Sequence, residues 1–228
     1  MNYLEKNEIQ VITIKDKAYP NKLKMIYDKP FILYAKGNIS IINNKSIAII
    51  GCRQATQYGK KISEKLSYDL SVNNINIISG LAVGIDTHAH IGTIKNYNSV
   101  YARGKAIAVI GNGIDNIYPN QNQKLANNII ESDGIILSEY IIGTKPEKNN
   151  FPERNRLISG LSDGVVVVES KKKGGSLITV EFALEQGKDI YAIPGNIDRY
   201  NSDGTNQLIK EGAICVTNVD DILENINN

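Results

Sequence analysis

The sequence has few cysteines and no long apolar run, and both absences narrow the class of protein. Its two cysteines, Cys52 and Cys215, are far apart, and each continues or closes an apolar segment. We interpret them as reduced thiols, because this spacing does not favour a disulfide or a metal site. No apolar run reaches the roughly 18 residues of a membrane span, and residues 1–10 lack the apolar segment of a signal peptide. We therefore expect a cytoplasmic protein with no membrane contact.

An excess of charge of one sign is also missing. Lysine and arginine together number 26 and aspartate and glutamate 24, which leaves a formal net charge of +2. Such a balance excludes a uniformly basic, histone-like surface. If the chain binds nucleic acid, its positive charge must be gathered in one place. Tryptophan is absent, whereas tyrosine occurs twelve times.

Apolar segments that stop at glycine or serine alternate with helix-like segments. Residues 47–50 are apolar without alternation, which predicts a strand buried on both faces that ends at Gly51. Apolar residues at four-residue spacing then predict a helix over 57–73. Further strands are predicted at residues 75–78, 106–110, 134–137, 165–168, 190–193 and 214–216, with helices between them, including one over 85–96. This order predicts an α/β fold with a doubly wound, mostly parallel sheet and helices on both faces.

The first 40 residues differ from the rest because they are poor in apolar residues. Residues 31–35 are predicted to form a short edge strand with a helical segment before it. Because residues 1–40 cannot build a core of their own, we expect them to be an N-terminal extension packed on the sheet edge. Residues 41–228 are expected to form the domain that carries the binding site.

Basic residues and glycine turns follow several of the predicted strands. Because parallel strands end at one edge of a sheet, this edge should gather positive charge, and helix N-termini there add N–H donors for phosphate oxygens. A solvated face is an equally good interpretation of the three consecutive lysines. The basic residues concerned are Arg53, Lys145, Lys148, Arg154, Arg156, Lys171, Lys172 and Lys173.

Arg154 and Arg156 stand two residues apart at the start of a predicted helix, so they should point in different directions. We expect one to face the ligand edge and the other to hold a loop or a carboxylate such as Glu139 or Glu169. Phe151 is expected to anchor the loop or to offer a stacking face.

Motifs for catalysis and for common cofactors are missing. Neither the P-loop pattern nor the dinucleotide fingerprint follows the first buried strand. His88 and His90, two apart on a predicted helix, are poorly spaced for a shared metal. Ser79 and Ser176 lack an assignable histidine partner. We therefore predict no catalytic residues, no metal and no cofactor.

Several motifs occur in series between about Tyr19 and the C-terminus. They are Gly51-Cys52-Arg53 with Tyr58-Gly59, Ser79 to Asp86, Gly113 with Tyr118-Pro119, Ser138-Glu139, Phe151 to Arg156, Gly175 to Thr179, Pro194-Gly195 and Gly204 to Ile209. In this order the motifs resemble those of the DprA/Smf family, the DNA-processing proteins of natural transformation.

This resemblance implies an extended Rossmann-like fold that binds single-stranded DNA, protects incoming DNA and loads the recombinase RecA, without catalysis and as a homodimer. Arg53 resembles the family's DNA-contacting arginine, and Lys148 lies where a related protein uses a lysine on DNA. Cys52 replaces the usual serine or threonine. The DNA- or phosphate-binding residues expected on these grounds are Gly51, Arg53, Tyr58, Ser79, Gly80, Gly84, Lys148, Phe151, Arg154, Asn155, Arg156, Gly174, Gly175, Ser176 and Thr179.

Two alternatives stay open. The chain also shares features with the lysine-decarboxylase-like, cytokinin-activating enzymes that cleave nucleoside monophosphates. Gly174, Gly175 and Glu181 match the spacing of their phosphate motif, but Leu177 and Ile178 replace its glycine and threonine. The other alternative is a regulator that binds mononucleotides.

Overall fold

The computed structural model describes residues 3–95 and 103–226. The strands of this part of the chain are β1 Ile9–Thr13, β2 Ile32–Gly37, β3 Ser46–Ile50, β4 Asn76–Ser79, β5 Ala106–Val109, β6 Ile135–Ser138, β7 Gly164–Val167, β8 Asp189–Ala192 and β9 Ile214–Cys215. Its helices are α1 Tyr3–Lys6, α2 Asn21–Met25, α3 Gln57–Val72, α4 Ile85–Ile94, α5 Gln123–Glu131, α6 Asn150–Leu161, α7 Ser176–Glu185, α8 Asp203–Lys210 and α9 Asp220–Ile226. Residue 96, the end of the helix predicted over 85–96, lies outside the described ranges.

The strands form one nine-stranded sheet in the order β1-β2-β6-β5-β4-β3-β7-β8-β9. Strands β3 to β9 pair in parallel, and β1 and β2 join antiparallel beside β6. The prediction of a doubly wound, mostly parallel sheet is confirmed. Strand β1 was not predicted, so residues before 41 contribute two strands to this edge rather than one.

Both faces of the sheet are covered, as the unbroken apolar strands predict. Every residue of β3 is buried, with successive side chains on opposite faces. Ile47 and Ile49 pack with Leu66 and Leu70 of α3 in one cluster. Ala48 and Ile50 lie on the other face, in a cluster that includes residues of α2, α6 and α7. The core therefore holds β3 rigidly, and its carboxyl end has a fixed place.

Strand order reverses between β3 and β7, because β4 to β6 follow on one side and β8 and β9 on the other. We call the edge at which β3 to β9 end the carboxyl edge. The backbone N–H of Cys52 donates to the carbonyl of Glu169 at 2.9 Å, so the segments that leave β3 and β7 stay side by side. Ligands of open α/β sheets bind at such a switch point.

Within residues 3–95 and 103–226, no helix has both the length and the hydropathy needed to cross a bilayer.

Candidate nucleic-acid interface

A cleft of about 750 Å³ opens at the carboxyl edge, where β3 and β7 end. We call this space the cleft. Residues from the turn after β3, the start of α6 and the start of α7 form its walls. Ten of the residues expected from the sequence line it: Gly51, Arg53, Lys148, Phe151, Arg154, Asn155, Gly174, Gly175, Ser176 and Thr179.

An exposed cation and an aromatic ring share one wall of the cleft. The guanidinium carbon of Arg53 lies 5.4 Å from the centroid of the Phe151 ring. The ring of Tyr118 lies next to Phe151, with 5.7 Å between their centroids. A flat apolar surface beside a guanidinium can stack on a base while the cation contacts phosphate. Tyr118 is not among the expected site residues, although Tyr118-Pro119 is one of the motifs shared with the family.

The charge of the cleft is predominantly positive. Lys148 and Lys173 are exposed, and Lys171 lies over the ring of Tyr200 with its Nζ 5.0 Å from the centroid. Together with Arg53, these groups face the same space. Asp86 is the one acidic residue among the described residues that line it. The chain thus gathers its small excess of positive charge where the carboxyl edge is open.

Two buried residues of opposite charge, Arg154 and Asp86, form the floor of the cleft. Arg154 is 4% exposed, and its Nη1 donates to the carbonyl oxygens of Gly80 and Val109. Asp86 is 8% exposed and accepts a hydrogen bond from the N–H of Gly80 at 3.1 Å. Burial raises the pKa of Asp86 to about 6 and lowers the pKa of Arg154 to about 10. Through their separate hydrogen bonds to Gly80, both side chains hold the turn after β4 beneath the cleft.

Arg156 lies outside the lining of the cleft and forms an ion pair with Glu139. Its Nη1 and Nη2 donate to Oε1 and Oε2 of Glu139, each at 2.6 Å. Its Nε donates to the carbonyl of Asp28 at 2.9 Å. This two-pronged geometry is the strong form of an arginine–carboxylate contact. Arg156 therefore ties the segment after β6 to the segment before β2, and its expected direct contact with DNA has no support in this geometry.

Arg154 and Arg156 point in different directions, as their spacing of two residues predicts. Arg156 holds Glu139, as one arginine was expected to do. Arg154 does border the cleft, but it is buried and held by two carbonyl groups rather than free at the surface. The sequence spacing could not reveal this, because the partners of Arg154 come from β5 and from the turn after β4.

Four other expected site residues also lie outside the lining of the cleft. Tyr58 is half-exposed and borders a different depression, near Pro194 and Thr217. Ser79 is fully buried, and its Oγ donates to the carbonyl of Ile49 at 2.7 Å, so its side chain is occupied within the sheet. Gly80 and Gly84 shape the backbone beneath the cleft.

Gly84 is needed for its conformation. Its φ is 85°, and a Cβ at this position would overlap the carbonyl oxygen of Cys52. The N–H of Ile85 donates to that same carbonyl at 3.2 Å. Glycine therefore allows α4 to begin directly behind the turn after β3.

Glu169 organises the turn after β3, a role that the sequence did not reveal. Its Oε2 accepts from the N–H of Thr56 at 2.9 Å, and its Oε1 accepts from the Thr56 hydroxyl. Thr56 in turn caps α3 by accepting from the N–H of Gly59 at 3.1 Å. Glu169 was expected as an arginine partner, but it instead positions the segment that carries Arg53.

The residues that would support nucleotide cleavage are not assembled. Glu181, the acidic residue of that motif, is exposed on α7 and is not among the described residues that line the cleft. Ile178, which stands where the motif requires threonine, does line it and offers no hydroxyl. The side chains that α7 presents to the cleft thus differ from those of the cleavage motif.

Several known proteins resemble this chain in sequence and in fold. The DNA processing protein DprA of Streptococcus pneumoniae is 46% identical over 211 residues, which are 92% of this chain and 72% of that protein. The X-ray structure of DprA from the same organism superposes with a TM-score of 0.86 at 43% identity, over 97% of this chain and 76% of that one. A structure of DprA from Helicobacter pylori, described as giving insight into a single-stranded DNA binding mode, superposes with a TM-score of 0.81 at 30% identity over 95% of each chain. The family model described as DNA recombination-mediator protein A matches residues 10–227, and the chain belongs to this family.

Proposed function

We propose that this chain binds single-stranded DNA in the cleft. The observation that carries the proposal is the shared wall of Arg53 and Phe151, with a cation 5.4 Å from an aromatic centroid beside exposed lysines. Single strands offer what this wall recognises, because their phosphates are accessible and their bases can leave the stack. The single-stranded DNA binding mode described for the H. pylori protein supports the same ligand.

The sugar-phosphate backbone would meet the basic groups, and bases would meet the rings. Arg53 and Lys148 are exposed at the mouth of the cleft, where phosphates would contact them. Gly174 and Gly175 precede α7, so a phosphate can approach the backbone there without meeting a side chain. Duplex DNA keeps its bases stacked inside and would leave Phe151 unused.

The proposed role is that of a recombination mediator, which protects incoming single strands and loads RecA onto them in natural transformation. The family description and the chain's 46% identity to a DprA protein support this role. We further propose that the chain works without catalysis, as a homodimer and in the cytoplasm, where the recombinase meets DNA.

The decisive experiment is a binding titration with oligo-dT of several lengths against matched duplex at one salt concentration. We expect single strands to bind more tightly than duplex and affinity to rise with length. Equal affinities for the two forms would contradict the proposal. Tight mononucleotide binding without length dependence would instead identify a nucleotide-binding regulator.

Two further assays address the role. Incubation with AMP is expected to release no adenine, and release of free base would identify the nucleotide-cleaving enzyme. Loading is tested by following RecA assembly on single strands with and without the protein. The proposal expects faster assembly when the protein is present, and unchanged assembly would limit the chain to DNA binding.

A further inference from the structure

Three large apolar side chains are exposed within residues 25–31, from the last residue of α2 to the residue before β2. Met25 is 86% exposed, Tyr27 is fully exposed and Phe31 is 75% exposed. We call the two rings, Tyr27 and Phe31, the aromatic patch. Apolar side chains clustered on a surface in this way mark an interaction site more often than single exposed ones do.

The backbone beneath the aromatic patch is held by buried residues, so the folded structure itself keeps the rings exposed. Ile26 and Pro30, which directly precede Tyr27 and Phe31, are buried. The hydroxyl of buried Tyr19 donates to the carbonyl of Pro30 at 2.6 Å. Two buried residues therefore anchor the segment, and the rings that follow them, Tyr27 and Phe31, are presented to solvent.

The aromatic patch lies on the same edge of the sheet as the cleft. Phe31 directly precedes β2, whose Tyr34 is paired with Ser138 at the carboxyl end of β6. Arg156 joins the carbonyl of Asp28 to Glu139, the residue that follows β6. Because Arg156 lies on α6, whose first turn carries Phe151, one helix connects the segment of the patch to the wall of the cleft.

The charge around the rings suits a polyanion. Lys29 is half-buried and its Nζ donates to the carbonyl of Lys24 at 2.8 Å, so its ammonium group stays close to the segment. Lys24 is exposed, and its Nζ donates to Oδ1 of Asn21 at 3.4 Å. Asp28 is paired with Arg156 at 3.0 Å. The cleft likewise combines aromatic rings with basic side chains. Such a combination suits an unpaired nucleic-acid strand, whose bases stack on rings and whose phosphates contact cations.

We propose that a single strand longer than the cleft continues along the carboxyl edge and stacks bases on Tyr27 and Phe31. This inference rests on the proposed function, because it extends the path of the strand that the cleft holds. It assigns the residues before β2 a role in DNA binding, as a second contact that only longer strands reach.

The test compares the wild type with Tyr27→Ala/Phe31→Ala on short and long oligo-dT, of about 6 and about 30 nucleotides. The short oligonucleotide should bind both proteins equally, since the cleft is unchanged. The long one should bind the variant about tenfold more weakly, because stacking on two rings is lost. Equal affinity of both proteins for the long oligonucleotide would overturn the inference.

Two control variants separate stacking from other effects. Tyr27→Phe/Phe31→Tyr keeps both rings and should bind the long strand like the wild type. Tyr3 carries a half-exposed ring just before β1, whose first residue, Ile9, pairs with Lys36. This end of β1 lies at the edge of the sheet opposite to the carboxyl edge, so Tyr3→Ala should leave the affinity for the long strand unchanged. A loss of long-strand affinity in Tyr3→Ala as large as that in the patch variant would contradict the assigned path.

A direct readout is photo-crosslinking with an oligo-dT of about 30 nucleotides that carries iododeoxyuridine. Crosslinks to residues 25–32 are expected with this strand, and their absence beside crosslinks to the cleft would overturn the inference. If the double alanine variant instead changes the molar mass in light scattering, the patch is a protein contact and the inference is wrong. If the wild type binds neither oligonucleotide, the proposed function fails and the inference fails with it.

Discussion

Arg53 lies over the ring of Phe151, with 5.4 Å between the guanidinium carbon and the ring centroid. One residue comes from the turn after β3 and the other from the first turn of α6, so the contact joins two segments about 100 residues apart in sequence. A guanidinium in this position is oriented by the ring before any ligand arrives.

We predict that Arg53→Ala weakens binding to oligo-dT and flattens its salt dependence. One lost phosphate contact should lower the slope of log affinity against log salt by roughly 0.7. Folding should survive, because Arg53 is exposed and the turn is held by Glu169. Arg53→Lys keeps the charge, so its slope should match the wild type. An alanine variant that folds and keeps the full slope would contradict the phosphate role.

We predict that Lys148, in the loop before α6, also contacts a phosphate of the bound strand. The side chain is exposed and lines the cleft, so Lys148→Ala should also lose roughly 0.7 of the salt slope without loss of stability. Lys124 is a matched control, since it is exposed on α5 and is not among the described residues that line the cleft. Both variants lose one charge, so equal slopes in the two would show that only net charge matters.

Arg156 is predicted to matter for stability rather than for DNA. Arg156→Ala leaves Glu139 largely buried without its cation, which should lower the free energy of unfolding by about 2 kcal/mol. Arg199→Ala is the control, because Arg199 is 70% exposed and pairs with Asp198 at 3.8 Å, and an exposed pair contributes little. Urea unfolding measures both. Equal stabilities of the two variants would contradict the role of the Arg156 pair.

The sequence predicted the position of the cleft well. Residues 47–50 and 165–168 are apolar without interruption, which requires strands covered on both faces, and such strands are parallel and central. Because β3 and β7 lie side by side, the segments that follow them must meet at the carboxyl ends of these two strands. These segments carry Gly51 and Arg53 after β3 and the turn before α7 after β7. Local pattern and the handedness of the fold therefore suffice for this part of the site.

The sequence could not predict contacts that depend on distant segments. Arg154 is buried because carbonyl groups at Gly80 and Val109 accept its hydrogens, and nothing near Arg154 in sequence signals these partners. Strand β1 escaped prediction because only its first and fourth residues are buried, so no alternating pattern marks it. The floor of the cleft is thus a product of tertiary structure, whereas its walls follow from local sequence.

Two buried titratable residues of α4 respond to pH in opposite directions. Burial lowers the pKa of His90 to about 3, so the folded protein keeps it neutral. The stability that His90 contributes is present above the unfolded pKa near 6.5 and is lost as the pH falls towards 3. Burial raises the pKa of Asp86 from 3.8 to about 6, so its contribution is present below pH 3.8 and is lost as the pH rises through 6.

Between about pH 4 and pH 6 these effects should nearly cancel, because on folding His90 releases a proton where Asp86 takes one up. We predict that Asp86→Asn removes the compensation. The free energy of unfolding of this variant, relative to the wild type, should fall by about 1 kcal/mol per pH unit from pH 6 to pH 4. His90→Gln should show the opposite slope relative to the wild type. Urea unfolding at pH 7, 6, 5 and 4 measures both differences. Parallel pH profiles for the wild type and Asp86→Asn would contradict the prediction. They would show that Asp86 is ionised throughout this range, because the positive charge of Arg154 lowers its pKa more than burial raises it.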